Sequence, residues 1–306
     1  MLRYSLAAIA LKAFSATGST RRLYRKLGNR FGAGTRVRNG PPPYYMQRAR
    51  AIIEQVRRFD LIRPGDRLLE IGTGWLAWES TVLRVFFDVQ VTLFDVWDNR
   101  QFAPFQRYFR DFAASVDEQI PMSLEERRRV HSLLDSLAET TDWAEAYRVL
   151  GHEYVVDSHL AVLPSDTYAL VFSASVLEHI QRTILREEVA EFARVLRPGG
   201  YSLHLIDLGD HLAYYDDAIP CLKNYLRYSE RTWRILFEND VQYFNRVQPA
   251  EWLSAFADAG LVLVDQTRYD IDLGTMQIAA KFREMEPVDL ACGTLNLLHQ
   301  KSGGFQ

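Results

Sequence analysis

Two histidines and two aspartates stand where a proton could be drawn from a bound acceptor. His179 follows Glu178 just beyond the apolar run Tyr168-Ala-Leu-Val-Phe-Ser173-Ala-Ser175, and Asp207-Leu-Gly-Asp210-His211 follows a second such run. An imidazole or carboxylate within hydrogen-bond reach of a hydroxyl can act as its base, so His211, His179, Asp207 and Asp210 are the catalytic candidates. The plainer reading of each is a helix-packing histidine or a turn carboxylate. Asp207 and Asp210 also offer an alternative in which a divalent metal orients a sugar diol. Tyr243, Asn245 and Arg246 are candidates for the acceptor side, Arg246 because a guanidinium pairs well with a carboxylate or phosphate.

Such groups need elements to hold them, and the sequence supplies strand ends. Leu68, Leu69 and Ile71 form a short apolar run after Pro64-Gly65, which reads as a buried strand. It runs into Glu70-Ile-Gly72-Thr73-Gly74, after which Leu76, Trp78 and Val82-Leu83 recur at helical spacing. A strand feeding a glycine-rich turn at a helix start is the nucleotide-binding crossover. The third glycine of the dinucleotide fingerprint is missing, with Trp75 or Leu76 in its place, which disfavours a nicotinamide cofactor. Val89 to Asp95 is a β-rich run ending in a carboxylate 25 positions after Glu70, able to accept both hydrogen bonds of a ribose diol. Tyr154-Val-Val-Asp157-Ser158 ends in a pair able to read an adenine edge, and Val195-Leu-Arg-Pro-Gly-Gly200 turns into a fifth strand, Tyr201 to Asp207. Doubly wound sheets bind ligands along the carboxyl ends of their strands, so landmarks in this order point to one α/β domain.

The set Leu-Leu-Glu70-Ile-Gly-Thr-Gly74, Phe-Asp95, Val-Asp157, Ser173-Ala-Ser-Val-Leu-Glu-His179 and Leu-Arg-Pro-Gly-Gly200 resembles class I S-adenosylmethionine-dependent methyltransferases over roughly residues 60 to 275. The resemblance implies a Rossmann-like seven-stranded sheet and S-adenosyl-L-methionine as donor, with S-adenosyl-L-homocysteine as product. It also implies that Glu70, Gly72, Thr73 and Gly74 hold the methionine part and that Asp95 binds the ribose, with Val96 beneath the adenine. Asp157 and Ser158 would read the adenine edge, and Ser173 would lie next to the methionine amino group. Two features depart from the pattern. Trp75-Leu76 replaces the small residues usual after the second glycine, and the 62 positions from Asp95 to Asp157 require a helical insertion. The phrases Leu23-Tyr-Arg-Lys-Leu-Gly-Asn29, Asp95-Val-Trp-Asp-Asn-Arg100, Asn224-Tyr-Leu-Arg-Tyr-Ser229 and Asn245-Arg246 further resemble a subgroup from bacterial surface-polysaccharide loci.

At 306 residues, 48% hydrophobic and 25% charged, the chain suits one elaborated globular domain and excludes disordered and fibrous classes. Cys221 and Cys292 match no metal spacing and no disulfide framework, which suits a reducing compartment and a cytoplasmic location. The net charge of −3 conceals a split: residues 1–53 carry eleven Lys or Arg and no acid, leaving 25 basic against 39 acidic residues for the rest. That asymmetry points to an anionic partner for the amino end.

The expected organisation is a basic helical extension (1–58), a methyltransferase domain (59–283) and a tail (284–306) whose last residues fray. Within the domain, a helical insertion is expected at 97–153 and a lid at 208–247. In the extension, Leu2, Leu6, Ile9, Ala10 and Ala13 share one helical face, too short to span a bilayer. Three readings stay open for it: an anionic membrane surface, packing on the domain or a twin subunit, or a cap over an anionic substrate. Tyr44 to Phe59 reads as a helix, Phe105 to Val116 as another, and Ser123-Leu-Glu-Glu126 as a capped helix start. The lid holds Tyr214, Tyr215, Tyr225, Tyr228, Trp233 and Phe237, suited to stacking on sugar rings or simply to packing. Leu261 to Asp265 and Met276 to Lys281 are expected to close the sheet.

The function expected is methyl transfer to a saccharide or lipid-linked glycan oxygen, in line and assisted by a His or Asp base. A small aromatic or lipid-like acceptor, and an inactive fold serving as a partner subunit, are the competing readings. No nucleic-acid partner is expected, since no recognition module stands out and the body is acidic. A homodimer through the helical insertion stays open.

Overall fold

The computed structural model describes residues 2–303; of the terminal residues expected to fray, 303–306, the last three lie outside the described residues. Three helices come first: α1 (Leu2–Ser15), α2 (Gly18–Asn39) and α3 (Pro43–Phe59). Then follow β1 (Arg67–Ile71), α4 (Trp78–Phe86), β2 (Gln90–Asp95), α5 (Phe102–Gln119), α6 (Leu124–Ala138), α7 (Trp143–Leu150) and β3 (His152–Val156). The chain continues through β4 (Tyr168–Ala174), α8 (Leu185–Val195), β5 (Leu196–Asp207), α9 (Glu230–Leu236), α10 (Pro249–Asp258) and β6 (Leu261–Asp270). Two short helices, α11 (Ala280–Arg283) and α12 (Pro287–Ala291), precede β7 (Cys292–Lys301). The strands form one seven-stranded mixed sheet in the order β3-β2-β1-β4-β5-β7-β6. β1 pairs parallel with β2 and β4, β2 with β3, and β6 runs antiparallel to β7. This is the Rossmann-like α/β fold expected.

One expected strand is misplaced. Met276 to Ala279 has no regular structure and Lys281 lies in α11, whereas the strand paired with β6 is β7, inside the expected tail. The physical reason is burial: Leu295, Leu297 and Leu298 are buried to 1% exposure or less, and Thr294 and Asn296 alternate with them.

Residues 27–173 and 194–202 form one compact unit. There α3 turns Tyr45, Ala49, Ile52, Ile53 and Val56 inward, and Asp60, at φ +52°, ends it in the left-handed conformation. Trp78 is anchored by donating from Nε1 to the Tyr45 carbonyl (3.0 Å), and its ring meets Tyr45, Tyr108, Phe109 and Phe112. The expected cap on α6 is a full capping box between Ser123 and Glu126, a feature typically contributing about 1 kcal/mol.

Residues 2–26, 174–193 and 203–302 form the other unit. Its core includes α1 through Tyr4, Ala8 and Leu11, packed with Leu212, Tyr225, Trp233, Phe237, Phe244 and Phe282. The face of α1 that packs inward is thus the one opposite the apolar row read in the sequence. Leu2, Leu6, Ile9, Ala10 and Ala13 all stay exposed, because the larger Tyr4 fills the core and directs its hydroxyl to Asp210 (2.8 Å). The aromatic lid residues divide likewise: Tyr225, Trp233 and Phe237 are core, and Tyr214 and Tyr215 are exposed.

Candidate functional site

The first group of candidates lies on the glycine turn and the strands beside it. Gly72 and Gly74 have φ of +69° and +60°, a region costly for residues bearing a Cβ. A Cβ built at Gly74 would meet nothing within 4 Å, so the requirement there is torsional and the space over the turn is open. The Gly74 N–H donates to Asp95 Oδ2 (3.2 Å) and the Val96 N–H to Asp95 Oδ1 (2.8 Å). Burial pushes the Asp95 carboxyl up to about 6, moderated by hydrogen bonds from Val96, Trp97 and Gly74. Glu70 is buried and its pKa is raised, first by burial and then by Glu79, against the pull of Ser80 and Arg48.

Several of these groups are left in need of a ligand. Glu70 Oε2 and Thr73 Oγ1 are buried without a hydrogen-bond partner, a condition that native structures rarely leave unanswered. Val96 at the end of β2 and Val156 at the end of β3 are 50% and 46% exposed, apolar surfaces that a flat base would cover. The Asp157 N–H donates to the Asp95 carbonyl (3.1 Å), Ser158 is exposed, and Ser173 is buried in β4. The donors, acceptors and apolar faces fit S-adenosylmethionine; Glu70 and Thr73 would hold its amino-acid part and Asp95 the ribose.

Trp75, the departure noted in the sequence, is held rather than free. The Arg36 guanidinium lies over its ring, its carbonyl accepts from the Gln101 N–H (2.9 Å), and Arg36 Nη1 donates to Gln101 Oε1 (3.0 Å). Gln101 Nε2 reaches Asn29 Oδ1 (3.3 Å), so the second half of α2, through Asn29 and Arg36, is tied to the turn. Sequence reasoning missed Arg36, Gln101 and Asn29; the one signal was a large aromatic where a small residue was expected.

The second group of candidates surrounds a cavity of about 250 Å³ lined by Ser175, Glu178, His179, Asp207, His211, Tyr214, Tyr215 and Gln242. Ser175 has φ +56°, a strained setting for a serine, and its N–H donates to the Leu205 carbonyl (2.8 Å). Asp207 Oδ1 accepts from the Gly209 N–H (2.8 Å) and Oδ2 from the Tyr214 hydroxyl (2.9 Å). His211 Nε2 is 3.5 Å from Asp207 Oδ2. Burial would raise Asp207, but its bond to His211, that ring's charge, and the Gly209 and Tyr214 donors outweigh it and hold the carboxyl below its usual range.

His179 lies with its ring centroid 5.0 Å from that of His211. Its Nδ1 is 2.6 Å from the Tyr243 carbonyl, which fixes Nδ1 as the donor and leaves Nε2 with a lone pair. Crowding by protein, and then His211, push His179 down to about 4, although its ring stays open to solvent at the mouth.

The other candidates are not brought to this cavity as expected. Asp210 is fully buried and accepts from the Tyr4 hydroxyl and the Leu212 N–H (3.0 Å), so its carboxylate serves the core. Asn245 donates from Nδ2 to the Leu177 (2.9 Å) and Ile180 (3.1 Å) carbonyls and clamps the turn carrying His179. Arg246 turns inward over the Trp233 ring (4.7 Å) and pairs with Glu230 (2.8 Å). Tyr243 contributes its carbonyl, and its hydroxyl accepts from the Arg182 N–H (3.2 Å). Among the described residues, the group able to hold a metal is Glu178, His179 and His211, with one ligand atom each within 4.8 Å of the others, rather than Asp207 with Asp210.

Residues 44–266 match a family model described as a methyltransferase domain. A search of the curated proteins finds no match to the sequence. Among solved structures, phosphoethanolamine N-methyltransferase 2 of Haemonchus contortus, in complex with S-adenosyl-L-methionine, is 15% identical with a TM-score of 0.46, covering 82% of this chain and 52% of that one. A second structure of that enzyme, with phosphomonomethylethanolamine and S-adenosylhomocysteine, is 14% identical over the same shares, with a TM-score of 0.44. The CurJ carbon methyltransferase is 16% identical, with 82% and 54% covered and a TM-score of 0.41. The chain spans about half the length of each of these proteins.

Proposed function

The chain belongs to the methyltransferase-domain family, and from that premise we propose that it methylates a hydroxyl of a saccharide or lipid-linked glycan. S-adenosylmethionine supplies an electrophilic methyl group on a good leaving group, so the protein has mainly to align the acceptor, exclude water and remove a proton. A sugar hydroxyl is a weak acid and needs a positioned base. His211 takes that role, oriented by Asp207, which also stabilises the imidazolium formed when the proton arrives. Neutral His179, its Nδ1–H bonded to Tyr243, offers a lone pair that orients the same hydroxyl. Tyr214 and Tyr215 line the cavity and stay partly exposed, aromatic surface suited to the apolar face of a sugar ring.

The observation that carries this reading is the 3.5 Å approach of His211 to Asp207 in an open, tyrosine-lined cavity. A cytosolic location, where the donor is made, belongs to the same reading, as does a place in bacterial surface-polysaccharide synthesis on the phrases Leu23 to Asn29 and Asn224 to Ser229. The segment 208–247 is then the acceptor lid. Its test is to supply donor with a labelled methyl group to fractionated glycan-lipid and nucleotide-sugar pools. Label in a sugar ether supports the reading; label only in an aromatic metabolite, or none in any pool, removes it.

A further inference from the structure

We propose that the amino-terminal helices dock the protein on an anionic lipid surface. α1 is apolar on two opposite faces. One enters the core through Tyr4, Ala8 and Leu11, and the other leaves Leu2, Leu6 and Ile9 75%, 55% and 65% exposed. A soluble helix normally turns its second face to water with polar residues, and this one does not.

α2 repeats the theme with charge added. None of its 22 residues is buried. Leu23, Leu27 and Phe31 recur every four residues on one exposed row, and Arg22, Lys26 and Arg30, also exposed, form the row beside it. Neither helix contains an acidic residue. An apolar row flanked by cations lies in the plane of a bilayer, its apolar side chains below the headgroups and its cations among the phosphates. No described helix is long and apolar enough to cross a membrane, so docking here is lateral.

Charge complementarity selects the occupant. A nucleic acid would use the cations and leave Leu23, Leu27 and Phe31 idle, and a twin subunit with the same helices would oppose cation to cation. An anionic bilayer answers both rows at once. The inference stands apart from the transfer reaction, since none of these residues belongs to the site proposed above.

The test is flotation of the full chain with phosphatidylcholine vesicles, with and without phosphatidylglycerol. Binding is expected only with phosphatidylglycerol. Arg22→Ala/Lys26→Ala/Arg30→Ala should weaken it about 100-fold, roughly 0.7 of a decade for each cation removed. Leu23→Ser/Leu27→Ser/Phe31→Ser should weaken it comparably, and with no buried side chain touched both variants should keep the parent melting temperature. No flotation of the parent, or flotation unaffected by either triple variant, overturns the proposal. So does binding to duplex nucleic acid that the charge variant loses and the apolar variant retains while neither changes flotation.

Discussion

The Arg36 guanidinium carbon lies 3.3 Å from the ring centroid of Trp75, the residue next to the second glycine of the turn proposed to hold the donor. Burial lowers the Arg36 pKa, as expected for a guanidinium traded from water to an aromatic face. A partly desolvated cation–π contact contributes about 1–2 kcal/mol. Arg36→Ala should therefore weaken S-adenosylhomocysteine binding roughly tenfold in calorimetry. Arg36→Lys, without the planar fork that also reaches Gln101, should recover only part of it. Parent affinity in Arg36→Ala would show that Trp75 holds the turn unaided.

The ribose contact proposed for Asp95 should make donor binding sensitive to pH. Its carboxyl is raised to about 6, so the buried side chain is protonated below that value and ionised above it. A ribose diol needs the ionised form as acceptor, so affinity should rise with pH up to about 6 and then level. On the acid side the loss approaches tenfold per pH unit. Asp95→Asn should bind weakly and flatten the profile between pH 5 and pH 7, ~1 unit either side of the midpoint. A parent profile that is already flat would remove Asp95 from ribose binding.

His211→Ala should cost about 10²–10⁴-fold in turnover, with S-adenosylhomocysteine affinity unchanged. Undiminished turnover would pass the role to His179. Chelator treatment gives the second arm. Activity lost to chelation and restored by a divalent cation would make Glu178, His179 and His211 a metal site and end the assignment of His211 as a free base.

Tyr4→Phe removes a hydroxyl that reaches buried Asp210 and leaves the carboxylate with backbone donors alone. A buried acceptor short of a partner costs about 1–3 kcal/mol, read as a lower midpoint in urea. The Asp210 carboxyl is raised to about 6 in the fold, first by burial and against the pull of Tyr4. The folded state thus binds that proton more tightly than the unfolded chain, so this group's contribution falls as pH rises from about 4 towards 6. Without the Tyr4 donor the fall should be steeper, and an unchanged midpoint at pH 7 would contradict the account.

The sheet and the glycine turn at the end of β1 were legible because they follow local rules. A short apolar run, two glycines at left-handed torsions and a carboxylate at the next strand end are each visible in a few adjacent residues, as Glu70, Gly72, Gly74 and Asp95 illustrate. What escaped depends on partners distant in sequence. Asp210 looks like a cavity residue beside His211 until Tyr4, 206 positions away, takes it into the core. Arg246 looks like an anion site until Trp233 and Glu230 turn it inward. α1 shows two apolar faces, and periodicity alone gave no ground for preferring Tyr4, Ala8 and Leu11.

The sheet order places β7 between β5 and β6, although β7 is synthesised after both. As the polypeptide leaves the ribosome, β6 emerges before the strand that bonds it to the sheet exists. Translation can therefore complete the β3-β2-β1-β4 half first, whereas the other edge must wait for Cys292–Lys301, and a messenger truncated before that codon stretch would yield a chain with an open seam beside β5.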